Sequence, residues 1–274
     1  IKGKNYNFQY QSVTNDEYLK LHNLSNSSEI INNESLLTSN FYYNNNIDEH
    51  TTLSSDFLIY EDLSVRDSDR FRYVFPNFNF NKKIQIDKNY NGNFFFKSSG
   101  YQQQYNTNNY QAVITNDFLF NSNSFVTKKG LSNNYQILIK HDNSFTSTAT
   151  DDEDTTDLYQ SILLKSELPL IKKTENYYNY LKPIVALKLS PNNSKDLSGN
   201  DLRLSYDNIF SFNRIGSSRN IEEGRSISIG MEYKKNNKFN ENIFNLSLAN
   251  SISDKKNNNL PSKSKLDQTR SDVV

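Results

Sequence analysis

The chain has 274 residues with Lys+Arg and Asp+Glu both at 31, for a formal net charge of +0, and it carries no Cys. A neutral chain has no global field to draw it onto nucleic acid, and the missing thiols exclude disulfides, thiolate nucleophiles and cysteine-based zinc sites. Hydrophobic residues make up 35% and mean hydropathy is -0.80, yet 18 Tyr and 18 Phe are more aromatic content than disordered chains carry.

In chain order, the sequence opens at Ile1 with neither Met nor a signal peptide, which leads us to expect an internal fragment or processed domain. No stretch approaches the ~20 apolar residues of a membrane helix. Tyr6, Phe8 and Tyr10 then alternate with Asn5, Asn7, Gln9 and Gln11, the period-2 signature of a strand whose successive side chains face opposite ways. Weaker alternation recurs over Leu37 to Tyr43, Leu53 to Tyr60, Phe75 to Phe80, Asn93 to Phe96, Val113 to Phe120, Tyr135 to Lys140 and Leu158 to Lys165.

The clearest strands lie in the second half. Leu181, Pro183, Val185, Leu187 and Leu189 alternate with Lys182 and Lys188; Ile227, Ile229, Met231 and Tyr233 with Ser226, Ser228, Gly230 and Glu232; Phe244, Leu246 and Leu248 with Asn245, Ser247 and Ala249. Together these predict roughly a dozen strands of about 8–12 residues. Polar links are expected at Asn23 to Glu34, Glu61 to Asp69, Thr146 to Asp157, Pro191 to Asp201 and Ser253 to Lys265.

With no internal boundary, residues 1–274 read as one all-β domain. An antiparallel transmembrane β-barrel and a soluble sandwich both accommodate the alternation. Few turn residues (Gly 8, Pro 5) and Tyr or Phe at strand ends favour the barrel, whose rims carry aromatic girdles.

Candidate chemistry is sparse. His22, His50 and His141 lie far apart without metal-ligand spacing. The run Asp151-Asp152-Glu153-Asp154 lacks the alternating ligands and central glycine of a calcium loop, and reads as a solvated loop. No glycine-rich phosphate loop is present, so no enzyme class and no cofactor is indicated. Pro183 sits inside an apparent strand without a ladder donor, which predicts a bulge.

Three stretches carry a family resemblance. Leu181-Lys182-Pro183-Ile184-Val185 precedes Leu189-Ser190-Pro191-Asn192. Tyr206-Asp207-Asn208-Ile209-Phe210-Ser211-Phe212-Asn213-Arg214 is followed by Gly216, Arg219, Glu222, Gly224 and Arg225. Arg270-Ser271-Asp272-Val273-Val274 closes the chain. Nearer the start, Val13-Thr14-Asn15-Asp16-Glu17-Tyr18-Leu19 and Leu36-Leu37-Thr38-Ser39 add two shorter matches. In this order they resemble the C-terminal outer-membrane barrel domain of the LptD (organic solvent tolerance) family, in its alphaproteobacterial form. Lys182 stands where that family usually has an acid, and Ser218 where it usually has an aspartate.

The resemblance implies a partial barrel in the cell outer membrane, with the closing strands missing. It implies transport of lipopolysaccharide through a polar lumen and lateral gate, with the plug lipoprotein LptE and the periplasmic bridge LptA as partners. Asp207, Asn213, Arg214, Arg219, Glu222 and Arg225 then read as charged and polar motif residues bracing the lumen, with contact to substrate sugar-phosphate as the other reading. A porin-like passive channel and a soluble secreted β-rich binding domain remain open as alternatives.

Overall fold

The computed structural model describes residues 3–22, 24, 33–85, 91–191, 195–199, 201 and 203–274. Parts of the expected links Asn23 to Glu34 and Pro191 to Asp201, and Asn192 of the first motif, lie outside the described residues. The fold is all-β and antiparallel. Its strands are β1 (Gly3–Gln9), β2 (Leu36–Asp48), β3 (Thr51–Asp62), β4 (Phe71–Ile84), β5 (Gly92–Tyr105), β6 (Asn109–Ser122), β7 (Phe125–Val126), β8 (Ser132–Ser147), β9 (Asp152–Glu167), β10 (Leu170–Lys173), β11 (Tyr177–Ser190), β12 (Gly224–Asn237) and β13 (Asn242–Ser253), with one four-residue helix, α1 (Tyr18–Leu21). All 13 strands belong to one sheet of order β1-β2-β3-β4-β5-β6-β8-β9-β11-β12-β13, with β7 pairing β8 and β10 pairing β11. Neighbours in sequence are neighbours in the sheet, which is the meander that short links impose on antiparallel strands.

The chain forms two compact units. The first comprises residues 1–84, 95–117 and 141–157. Aromatic and β-branched cross-strand pairs set its register, among them Tyr6 opposite Tyr43 and Phe41 opposite Phe57. A small core of Leu19, Leu37 and Leu63, flanked by Val13 and Leu24, seats α1. Arg70 ties it down by reaching Asp16 at 3.0 Å and Glu61 at 2.6 Å. One face of the strands is polar and buried: Thr115 donates to Asp142 at 2.6 Å, and the Gln103 amide donates to Gln111 at 2.7 Å. Gly100 is required here because a Cβ would stand 2.4 Å from the Val113 carbonyl.

Two expectations change in this unit. The stretch from Thr146 to Asp157 is mostly strand, because β8 runs to Ser147 and β9 starts at Asp152. A tight turn over 148–151, in which Thr148 N–H and hydroxyl both donate to the Asp151 carbonyl, replaces the long link. Asp152, Glu153 and Asp154 are thus strand residues with solvated side chains. Strand β5 also continues well past Phe96, through Lys97-Ser98-Ser99-Gly100 and into a Gln run, where polarity on both faces hides the alternation.

The second unit comprises residues 85–94, 118–140 and 158–274. Strands β11 and β12 pair in unbroken register from Tyr177 opposite Asn237 to Ser190 opposite Gly224. The expected bulge at Pro183 does not occur there: Pro183 sits directly opposite Met231. Its missing N–H falls on the other edge, where β11 changes partner from β10, which ends its pairing at Leu181, to β9, which begins at Ile184. Beyond β13 the segment 269–274 runs alongside it, with Val274 and Ala249 exchanging backbone hydrogen bonds of 2.8 and 2.9 Å.

Candidate functional site

The site is one face of β11, β12 and β13 in the second unit, together with residues 203–223 of the link, which fold over it. In these strands the alternation is inverted relative to a soluble protein. Leu187, Leu189, Ile227, Ile229, Met231, Leu246, Leu248 and Ile252 are exposed, whereas Lys188, Ser190, Ser226, Ser228, Ala249 and Ser251 are buried. Small and hydroxylic residues on the buried face leave room for the link to lie against the sheet.

Two apolar clusters hold the link in place. Phe212 and Ile221 pack with Leu138, Tyr159, Leu163 and Ala186. Ile209 and Ile215 pack with Leu204, Ala249, Leu260 and Leu266. Polar anchors fix its register. Ser228 Oγ donates to the Ile209 carbonyl at 2.9 Å, Tyr159 Oη donates to Asn220 Oδ1 at 2.7 Å, and Lys140 Nζ donates to the Ser218 carbonyl at 2.7 Å. Gly230 completes the fit, since a Cβ there would stand 2.7 Å from both the Leu248 carbonyl and the Phe210 ring.

At the centre is a buried charge cluster. Arg214 donates from Nε and Nη2 to Glu222 Oε1 and from Nη1 to Ser251 Oγ. Lys188 Nζ reaches the same carboxylate oxygen at 2.7 Å. Burial opposes ionisation of Glu222, but the two cations and their hydrogen bonds override it and hold the carboxyl at about 2. A carboxylate shared by two cations is held ionised and fixed in place. It presents no nucleophile and no base poised near neutrality.

The sequence-named residues thus separate. Arg214 and Glu222 meet as a buried pair. Asn213 holds its own loop, accepting from Ser217 N–H at 3.1 Å and donating to the Ser217 carbonyl at 2.5 Å. Asp207 is exposed and Arg219 half-exposed. Arg225 does not join a buried brace. It stands on the open face, 71% exposed, with Nε donating to Asp254 at 2.9 Å, because its position in β12 has the same parity as Ile227 and Ile229. The alternation marked Lys188 only as a polar-phase residue; its role required knowing that Glu222 folds back onto it. Lys182 finds an acid directly across the ladder, lying 2.6 Å from Glu232.

The open face has defined ends. Arg225 and Asp254 close one. At the other, Lys235 Nζ sits 4.1 Å from the Tyr177 ring centroid, and Tyr233 Oη donates to Asn179 at 2.9 Å. Between them, Ile227 to Tyr233 spans about 20 Å at ~3.3 Å per residue.

His22 lies against Tyr18 with ring centroids 4.6 Å apart and the rings tilted by 54°. His141 Nδ1 lies 3.5 Å from the Asn143 amide. Among the described residues no group of three His, Asp or Glu could hold a metal ion, and no helix is long and apolar enough to cross a membrane. No family model matches the sequence, and no curated protein matches it significantly.

Proposed function

We propose that this chain is wall of an outer-membrane β-barrel of the LptD type, a conduit through which lipopolysaccharide reaches the outer leaflet. The observation that carries the membrane reading is the inverted alternation of β11 to β13. Aliphatic rows on the open face suit hydrocarbon, and they are ended by Arg225 on one side and by Tyr177 with Lys235 on the other, as polar and aromatic rims bound the apolar band of such walls. A charge on the lipid face would cost about 2–4 kcal/mol near the midplane, and Arg214, Glu222 and Lys188 all lie on the opposite, covered face.

The run that carries the resemblance, Asn208 to Arg225, is also the one whose Arg214 and Glu222 make the buried pair. This supports the LptD reading over a generic channel, since a porin has no need of that run. In this account the hydroxyl and amide rows of the inner face, such as Thr115, Gln103 and Gln111, solvate glycan and phosphate, while the aliphatic rows keep the wall in lipid. LptE would serve as plug and LptA as periplasmic donor. The chain acts as a passage and carries out no bond chemistry.

Depletion of the full-length protein tests this reading. Loss of newly made lipopolysaccharide from the cell surface is the expected result. Unchanged surface lipopolysaccharide accompanied by lost uptake of small solutes would replace it with the porin reading.

A further inference from the structure

The open face carries a groove of about 490 Å³ lined by Ile162, Leu164, Leu187, Leu189, Ile227 and Ile252, and Arg225 stands at its end. It continues into a second hollow of about 440 Å³ along Ser190, Pro191, Glu223, Gly224 and Lys255, with Leu189, Arg225 and Asp254 common to both. The first is walled by aliphatic side chains and the second by charged ones. An occupant must therefore be apolar along most of its length and polar at one end.

Charge decides which polar end. Arg225 and Lys255 are 71% and 66% exposed, whereas Asp254 and Glu223 are 32% and 15%. Both carboxylates are engaged within the protein: Asp254 accepts from Arg225 Nε, and Glu223 accepts from the Asn257 amide at 3.2 Å and lies 3.9 Å from Lys255 Nζ. The Arg225 amino groups Nη1 and Nη2 have no hydrogen-bond partner among the described residues. The two ion pairs balance in charge, but their cations are the outward partners, and Arg225 presents the planar pair of N–H donors that matches a phosphate oxygen pair.

We infer that this site holds one phosphate-bearing bilayer lipid, with an acyl chain along Leu187, Leu189, Ile227 and Ile252 and its phosphate on Arg225 and Lys255. The inference rests on the wall reading, because only a wall in contact with lipid would meet such a ligand there. It assigns to Arg225 a task that its ion pair with Asp254 leaves open, and it fixes the depth of the wall by placing this end of β12 at headgroup level.

Native mass spectrometry of the full-length protein in detergent tests it, with phosphatidylglycerol as probe and diacylglycerol of the same chains as the phosphate-free control. The wild type should bind phosphatidylglycerol in preference to diacylglycerol, and Arg225→Gln should weaken that binding about tenfold, the scale of one lost charge-assisted pair. Arg225→Lys, which keeps the charge but not the fork, should fall between them. Asp254→Asn should tighten binding by releasing Nε and removing a competing anion, a gain that no purely structural role for the ion pair would produce. Equal binding of the two lipids, or equal binding by wild type and Arg225→Gln with heat-modifiable mobility intact, overturns the site. Flotation of the same protein with liposomes reads the wall separately: protein that never associates with vesicles overturns the wall, and the site with it.

Discussion

Lys188 Nζ and Glu222 Oε1 lie 2.7 Å apart, with their side chains 5% and 1% exposed. One comes from the polar phase of β11 and the other from the link that follows it, so this contact joins the covering segment to the sheet. Removing one partner of a buried pair typically costs about 3–5 kcal/mol, because the remaining charge stays buried without compensation. Glu222→Gln strands two cations, Arg214 and Lys188. Lys188→Met leaves Arg214 still paired with Glu222. Urea titration of the refolded full-length protein should therefore show a much larger loss for Glu222→Gln than for Lys188→Met. Equal losses would mean that Arg214 alone does not satisfy the carboxylate.

The same carboxylate sets an acid limit. Glu222 is held at about 2 in the folded protein, below the usual glutamate value of ~4.3. A depressed folded value contributes stability that is fully present above the unfolded value and is lost as pH falls toward the folded one. The midpoint of unfolding should thus decline between about pH 5 and pH 2. In Glu222→Gln that decline should be shallower than in the wild type. Parallel pH profiles for the two proteins would contradict this.

Gly230 is opposed by the Leu248 carbonyl, the Phe210 ring and the Ala249 Cβ, all within 2.8 Å of where its own Cβ would be. Gly230→Ala should destabilise by about 1–3 kcal/mol through overpacking. Since Phe210 belongs to the link, the same variant should expose the link to protease. An unchanged cleavage pattern would show that the link seats independently of this contact.

Tyr159 is buried and donates to Asn220 in the link. Tyr159→Phe keeps the ring packing with Phe212 and Ile221 and removes the hydrogen bond to Asn220, so a loss of about 1 kcal/mol is expected. Hydrogen exchange should quicken in the link and stay unchanged in β12. Equal quickening of both would indicate that the bond supports the sheet as a whole.

The fold was legible where one face is apolar and the other polar, as in Ile227 to Tyr233, because strand geometry itself converts that spacing into two faces. It was not legible over Lys97 to Gln104, where both faces are polar, nor at Asp152 to Asp154, where solvated acids occupy a strand. Pro183 suggests a bulge, but its pairing with β12 runs unbroken and its missing N–H falls where β11 changes partner, since sequence does not say which edge a missing N–H faces. Arg214 and Glu222 stood out through the motif they belong to. Lys188 did not, because the contact that gives it meaning depends on a link folding back. Arg225 was grouped with them by charge, although its parity with Ile227 and Ile229 already placed it on the opposite face.

If the open face of β11 to β13 meets lipid, the folding energy of Ile229→Arg in bilayers registers it most directly. Ile229 is 49% exposed and sits mid-row between Ile227 and Met231, while Asn237 ends the same strand. A lipid-facing row predicts a cost of about 2–4 kcal/mol for Ile229→Arg and about 0–1 for Asn237→Arg, the depth dependence of arginine in an outer-membrane wall. If both arginines are tolerated equally, or if Ile229→Arg leaves a folded protein that stays in buffer and ignores bilayers, the row faces water and the wall account is wrong.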